Sequence, residues 1–176
     1  MTPSATPQLT VRRATPADFD SILAVIDAAR LIMRATGNLT QWPDGYPSRQ
    51  TFETDIAEGH CYVIETQSAV IVGCFSFIPG PDSTYAEIAG EWPNEKPYFV
   101  IHRLASSGSE RGVARACLDY CRNRCDVIRI DTHADNLPMR NWLSKEHFTH
   151  CGVIRLADGS PREAYILECH PSQSAN

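Results

Sequence analysis

The sequence predicts a single α/β domain: a mixed, mostly antiparallel central sheet of about seven strands, flanked on both faces by about four helices. Three observations carry this expectation. Segments of alternating hydrophobicity and segments of helical spacing follow one another in the order β-α-α-β-β-β-α-β-α-β-β. In residues 98–124, a short apolar strand passes through a small polar turn into a helix. A further strand follows, which requires a right-handed parallel crossover. The chain has 176 residues, 43% of them hydrophobic and 21% charged, enough for one substantial core.

The elements follow in order. Residues 9–13 alternate and are β-branched, which makes a first strand, and residues 1–8 read as a disordered lead-in. Thr15, Pro16 and Asp18 mark a helix start, with Thr15 as N-cap and Asp18 facing the positive end of the dipole. Ile22, Leu23, Val25, Ile26, Ala29 and Ile32 keep helical spacing as far as Gly37. The loop 38–47, NLTQWPDGYP, holds Trp42 and Tyr46, which can anchor it from beneath or cover a pocket. Ser48 caps a second short helix with Phe52 and Ile56 inward. Residues 61–65 and 69–78 are strands joined by a hairpin at 66–68, and the run from Pro79 to Asp82 stops the second. Residues 82–97 show no period and read as an excursion or surface flap.

Residues 98–105 form a buried strand, and Ser106, Ser107, Gly108 and Ser109 break it. A helix opens at Gly112, with Val113, Ala114, Cys117, Leu118 and Cys121 at helical spacing. Residues 126–134 put Ile128, Ile130 and Thr132 on one face and Arg129, Asp131 and His133 on the other. Asp135 or Asn136 caps the next helix. Residues 149–156 and 163–169 alternate as closing strands about a turn at 158–161. The domain thus covers 9–170, and residues 171–176 read as a mobile tail.

The strand, turn and helix start at 98–114 have one chemical consequence. Unpaired N–H groups and the positive end of a helix converge, which suits an anion. Gly112 and Ala114 leave room for a diphosphate at the backbone. Neither a GxxxxGK[ST] loop nor a three-glycine dinucleotide fingerprint is present, and an ordinary strand-to-helix connection would look alike.

The segment HRLASSGSERGVARACLDYC resembles the acyl-CoA-binding segment of the GNAT superfamily of N-acetyltransferases. That family's pattern, Q/R-x-x-G-x-G/A, falls on Ser109, Glu110, Arg111, Gly112, Val113 and Ala114; Gly112 and Ala114 fit, and Ser109 departs. A second segment, DTHADNLPMRNWLSKEHF, resembles the family's N-x-x-A-x-x-L-Y-E-K-x-G-F at Asn136, Lys145 and Phe148. There Leu143 stands where many members have a tyrosine that protonates the leaving thiolate, and His147 stands for Gly. A weaker resemblance spans residues 9–169. It implies the GNAT fold, with a splay between the fourth and fifth strands, and acetyl-CoA as co-substrate. The CoA contacts it implies are Leu104 and Ala105 at the strand end, the loop and helix start with Arg115 beside them, and Asn136 and Lys145 downstream.

Composition excludes other classes. The net charge of −5 without a basic cluster speaks against nucleic acid, and no apolar run approaches the ~20 residues of a membrane span. Without a signal pattern, and with seven Cys and no CxxC pair, the chain reads as a reduced, metal-free cytoplasmic protein. Cys117, Cys121 and Cys125 suit core packing better than a metal face, and His147, His150 and Cys151 lack a second cluster. A homodimer is left open.

Acetyl transfer to an amine needs a base for the amine, donors for the oxyanion and an acid for the thiolate. A backbone N–H near Leu104 or Ala105 would serve the oxyanion. The base is to be sought among His102, His133, Glu91 and Asp131, with the two imidazoles suited to neutral pH, or in a relaying water. Trp42, Tyr46, Glu91, Trp92 and Arg103 are the expected acceptor contacts. The resemblance implies an N-acetyltransferase acting on a primary amine of a small molecule by direct attack in a ternary complex. A peptide acceptor, or a non-catalytic acyl-CoA-binding module, remains an alternative.

Overall fold

The computed structural model describes residues 8–169; all but the last residue of the expected lead-in at 1–8, residue 170 and the expected tail at 171–176 lie outside them. One sheet holds β1 (Thr10–Arg13), β2 (Cys61–Glu65), β3 (Ile71–Pro79), β4 (Ala89–Gly90), β5 (Phe99–Ser106), β6 (Val127–Thr132), β7 (Thr149–Arg155) and β8 (Pro161–Glu168). The helices are α1 (Phe19–Ala35), α2 (Arg49–Ala57), α3 (Val113–Arg122) and α4 (Leu137–Lys145). The strand order is β1-β2-β3-β5-β6-β8-β7-β4, and only β5 and β6 run parallel. No helix among the described residues is long and apolar enough to cross a membrane.

The second helix starts at its expected cap, whereas Thr15 precedes a 3-10 turn at Pro16–Asp18 and α1 begins only at Phe19. Asp18 accepts from Thr15 N–H at 2.8 Å and from Thr15 Oγ1 at 3.1 Å, fixing the turn that leads into α1. Ser48 Oγ accepts from Thr51 N–H at 3.1 Å at the head of α2. Several boundaries differ from the sequence expectation. β3 begins at Ile71 rather than 69, because Ala69 takes φ 60° and closes the turn onto the Thr66 carbonyl. β6 ends at Thr132 and leaves His133 in the following turn, while β8 starts two residues early, at Pro161. Cys125 lies beyond the end of α3.

α3 and α4 cover one face, packing Cys117, Leu118, Cys121 and Leu143 on Ile101, Ile128 and Ile130. On the other face, α1 and α2 cover the β2–β3 half with Ile22, Ile26 and Phe52, joined by Trp42 from the loop between them. The 82–97 stretch supplies β4, a strand beyond the seven expected, and covers the remaining half. It crosses to the far edge, where β4 pairs Gly90 with Gly152 of β7. A Cβ on Gly90 would lie 2.1 Å from the Cys151 carbonyl oxygen, so only glycine permits this approach. Tyr85 packs there with Val100, Ile154 and Ala164, and the Arg129 guanidinium lies 4.0 Å from the ring centroids of both Trp92 and Tyr98.

The expected splay has a local cause. β5 and β6 pair only at Phe99↔Ile128 and Val100↔Arg129. Between the pairs Ser76↔His102 and Cys74↔Ala105, β5 supplies Arg103 and Leu104 where β3 has Phe75 alone. Arg103 takes φ 54°, the left-handed conformation of a bulge residue. The bulge bends β5 away from β6 and leaves that edge of both strands without a strand partner.

Candidate active site

On the α3 side of the splay the available groups are main-chain amides. Gly112 is the N-cap of α3 at φ 86°, and a Cβ there would meet nothing within 4 Å. Ala116 N–H to the Gly112 carbonyl, at 2.9 Å, follows the amides of Val113, Ala114 and Arg115, which have no carbonyl of the helix to donate to. Ser106 and Ser107 fold the preceding loop by accepting from Gly108 N–H and Ser109 N–H at 3.1 and 3.3 Å. Arg115 bonds Asp119 and Glu146, both at 3.0 Å, and so ties the end of α4, with exposed Lys145, to the first turn of α3. This open helix start fits a diphosphate: free N–H groups, a positive dipole end and no side chain at Gly112.

On the opposite face lies a cavity of about 310 Å³. His102 reaches it from β5, with Nε2 2.8 Å from Asp82 Oδ2. Asp82 Oδ1 accepts from Thr84 N–H at 2.9 Å and Thr84 Oγ1 at 2.6 Å. The His102 bond, with these two, holds the Asp82 carboxyl well below the usual carboxylate range despite its burial. An ionised Asp82 places the ring proton on Nε2, and Nδ1 bonds none of the described residues. From β6, Asp131 Oδ2 accepts from Tyr85 O–H at 2.7 Å. Burial pushes the Asp131 carboxyl up and the Tyr85 phenol far up. Arg103 donates from Nε and Nη2 to Asp55 Oδ2, at 3.1 and 2.5 Å, and Ser76 Oγ shares that oxygen. Gln41 ties its loop to the end of β6, its Oε1 accepting from His133 N–H and Asn136 Nδ2 at 3.3 and 3.1 Å.

No protein-family model matches the sequence, and no curated protein resembles it closely enough to count as a relative. Solved structures do match. A GNAT-family acetyltransferase from Streptococcus agalactiae 2603 is 29% identical, with a TM-score of 0.81 over 92% of this chain and 96% of its own. One from Listeria monocytogenes 4b F2365 is 18% identical, with a TM-score of 0.70 over 96% and 98%. The chain shares the fold of these GNAT-family acetyltransferases. A NatC complex bound to Gag peptide and CoA shares the fold, at 16% identity and a TM-score of 0.59 over 93% and 99%.

Within this GNAT fold, the cavity brings together Trp42, Tyr46, His102, Arg103, Leu104 and Asn136 from the sequence-derived set. Trp42 is 6% exposed and anchors the loop in the α1–α2 core, whereas Tyr46 is 42% exposed. Three candidates stand elsewhere. His133 Nδ1 accepts from Asp135 N–H at 3.0 Å, so Nε2 carries the proton towards Thr40 Oγ1 at 3.2 Å, leaving no lone pair for a base. Glu91 is exposed beside β4, where its N–H bonds the Cys151 carbonyl. Trp92 is fixed by Arg129 and by its indole N–H on the Tyr85 carbonyl at 3.0 Å. Asn136 caps α4 through Oδ1 on Met139 N–H at 3.3 Å, and its amide nitrogen is bonded to Thr132 and Gln41. Ala105 turns its side chain into the α1 core.

Sequence reasoning missed Asp82, Gln41 and Arg162 as cavity residues. Arg162 carried a readable signal, since it shares the inward register of Ala164 and Ile166 once the strand is begun at Pro161. Nothing local marks Asp82 as the partner of a histidine 20 positions on. Among the described residues no group of three or more His, Cys, Asp and Glu could hold a metal ion.

Proposed function

We propose that this protein transfers an acetyl group from acetyl-CoA to the primary amine of a small molecule, the amine attacking directly while both substrates are bound. The carrying observation is the Asp82–His102 pair, at 2.8 Å, on the strand whose bulge opens the splay. Acetyl-CoA supplies the acyl group, activated as a thioester. The amides of Val113, Ala114 and Arg115 hold its diphosphate, and the open edge of β5 at Leu104 donates to the thioester carbonyl. His102 Nδ1 takes a proton from the acceptor, and the Asp82 carboxylate stabilises the imidazolium that results. Leu143 is fully buried in the main core and supplies no proton to the sulfur.

A small acceptor is favoured over a peptide by the cavity, whose volume is near the lower end of ligand pockets. The loop bearing Gln41 is also bonded to the end of β6 and to β8 at the cavity mouth. The test is release of CoA thiol from acetyl-CoA in the presence of free amines and of peptides. Turnover of amines, lost in His102→Ala with CoA binding retained, supports the reading. CoA binding with no turnover of any amine or peptide would leave a binding module instead.

A further inference from the structure

The cavity wall carries two charged groups of opposite sign, neither in a direct ion pair. Arg162 is 7% exposed; Nη1 donates to the Pro161 carbonyl at 2.8 Å and Nη2 to the Gln41 carbonyl at 3.4 Å. No carboxylate among the described residues lies within ion-pair distance of it, although it lines the cavity. Asp131 likewise faces the cavity with only the Tyr85 hydroxyl as a partner. The other charges there are matched, Arg103 by Asp55 and Asp82 by His102. The guanidinium, held by two carbonyl oxygens, and the carboxylate, held by one phenol, feel each other's charge across the sheet, yet neither has a direct ion-pair partner.

Their spacing is set by the sheet. Asp131 pairs with Ala164 in β8, so Arg162 is its diagonal neighbour on the same face. Such positions lie about 7–8 Å apart at the backbone, within the span of one compact molecule. Met33, Trp42 and Leu156 supply apolar wall beside them.

We propose that the acceptor is a compact zwitterion, an amino acid with an apolar side chain, whose ammonium lies between Asp131 and His102 and whose carboxylate is received by Arg162. This rests on reading the cavity as the acceptor site of an acetyltransferase. In a turnover the N–C bond forms as the C–S bond breaks. The ammonium loses two protons: one neutralises the CoA thiolate, and the other leaves through His102 to solvent.

The test is calorimetric binding to the CoA-loaded protein, alongside release of CoA thiol from acetyl-CoA. The probes are L-methionine, L-leucine and L-phenylalanine, each beside its amide and its decarboxylated amine. The expected result is that at least one amino acid binds about tenfold or more tighter than both of its analogues. Arg162→Met should erase that preference, and Asp131→Asn should weaken acid and amine alike. Analogues that bind as tightly as the acids, amino acids that do not bind, or a folded Arg162→Met protein that keeps the preference would each overturn the proposal. Should Arg162→Met fail to fold, the wild-type series decides alone. Zwitterion binding without CoA release would sustain the site and remove the acetyltransferase reading. Turnover indifferent to the carboxylate would do the reverse.

Discussion

The two sides of the β5–β6 splay are made from different parts of the chain. On the α3 side, one continuous stretch from Leu104 to Arg115 supplies main-chain amides and small residues. On the opposite side, the cavity takes side chains from eight separated places: α1, the loop with Gln41 and Trp42, the turn with Asp82 and Thr84, β5, β6, the start of α4, the end of β7 at Leu156, and β8. A main-chain site needs only a turn and residues that stay out of the way, so its requirement is local. A side-chain site needs the fold to place charges from distant segments. The first kind of site is robust to replacement and poor in discrimination, and the second is the converse.

The sharpest way to separate the two sides is to remove His102. His102→Ala should lower kcat by roughly ten- to a thousandfold with CoA affinity little changed. Calorimetry with CoA beside steady-state rates checks both halves, and loss of CoA affinity would merge the two sides again. The complementary change is Ala114→Glu. A carboxylate in the first turn favours the helix dipole, so the melting temperature should hold or rise. It would stand where the diphosphate is proposed to bind, and the Kd for CoA should increase about tenfold or more. Gly112 is a poorer choice for this test, because at φ 86° any side chain strains the backbone before it meets a ligand.

The same division explains what could be read from the sequence. Gly112, Ala114 and the strand-turn-helix pattern mark the α3 site because period and residue size are local signals. The seven longer strands and four helices are legible for the same reason, whereas β4 has two residues and no period to detect. The acceptor side was legible only in fragments. His102 stood out by its place before the splay, but its carboxylate arrives from a turn 20 residues earlier, through a chain path that crosses the sheet. His133 looked equivalent to His102 in the strand pattern. The structure separates them because β6 ends at Thr132, the next turn takes Nδ1 of His133 through Asp135 N–H, and Thr40 from the loop after α1 takes Nε2.

A pH experiment tests the acceptor side without substrate. His102 first, then Thr84, hold the Asp82 carboxyl below the value of about 3.9 it has in an unfolded chain. The native state therefore binds that proton less readily. The stabilisation is complete above about pH 5 and is lost as pH falls through the lower native value. Asp82→Asn removes this contribution. Its melting temperature should decline less steeply than the wild type's on acidification from about pH 5 to 3. Parallel declines would mean that Asp82 is ionised no more readily in the native state than in the unfolded one.

The smallest expected effect lies away from both sides, where local geometry and residue type disagree. α4 ends with Phe148 N–H on the Leu143 carbonyl at 3.0 Å and His147 N–H on the Ser144 carbonyl at 3.1 Å. These are the two bonds of a Schellman motif, and His147 occupies its left-handed position at φ 66°. The resembled GNAT pattern has glycine here. A Cβ in that conformation costs about 1–2 kcal/mol, while glycine gives back part of this through its greater freedom in the unfolded chain. The His147 side chain is exposed, so little packing is lost with it. His147→Gly should therefore stabilise the protein by about 0.5–1 kcal/mol and raise the melting temperature by about 1–4 °C. Because the turn contributes nothing to the cavity, kcat and the Kd for CoA should stay as they are. A stabilised protein with altered kinetics would show that the end of α4, tied to α3 through Arg115 and Glu146, transmits its geometry to the splay.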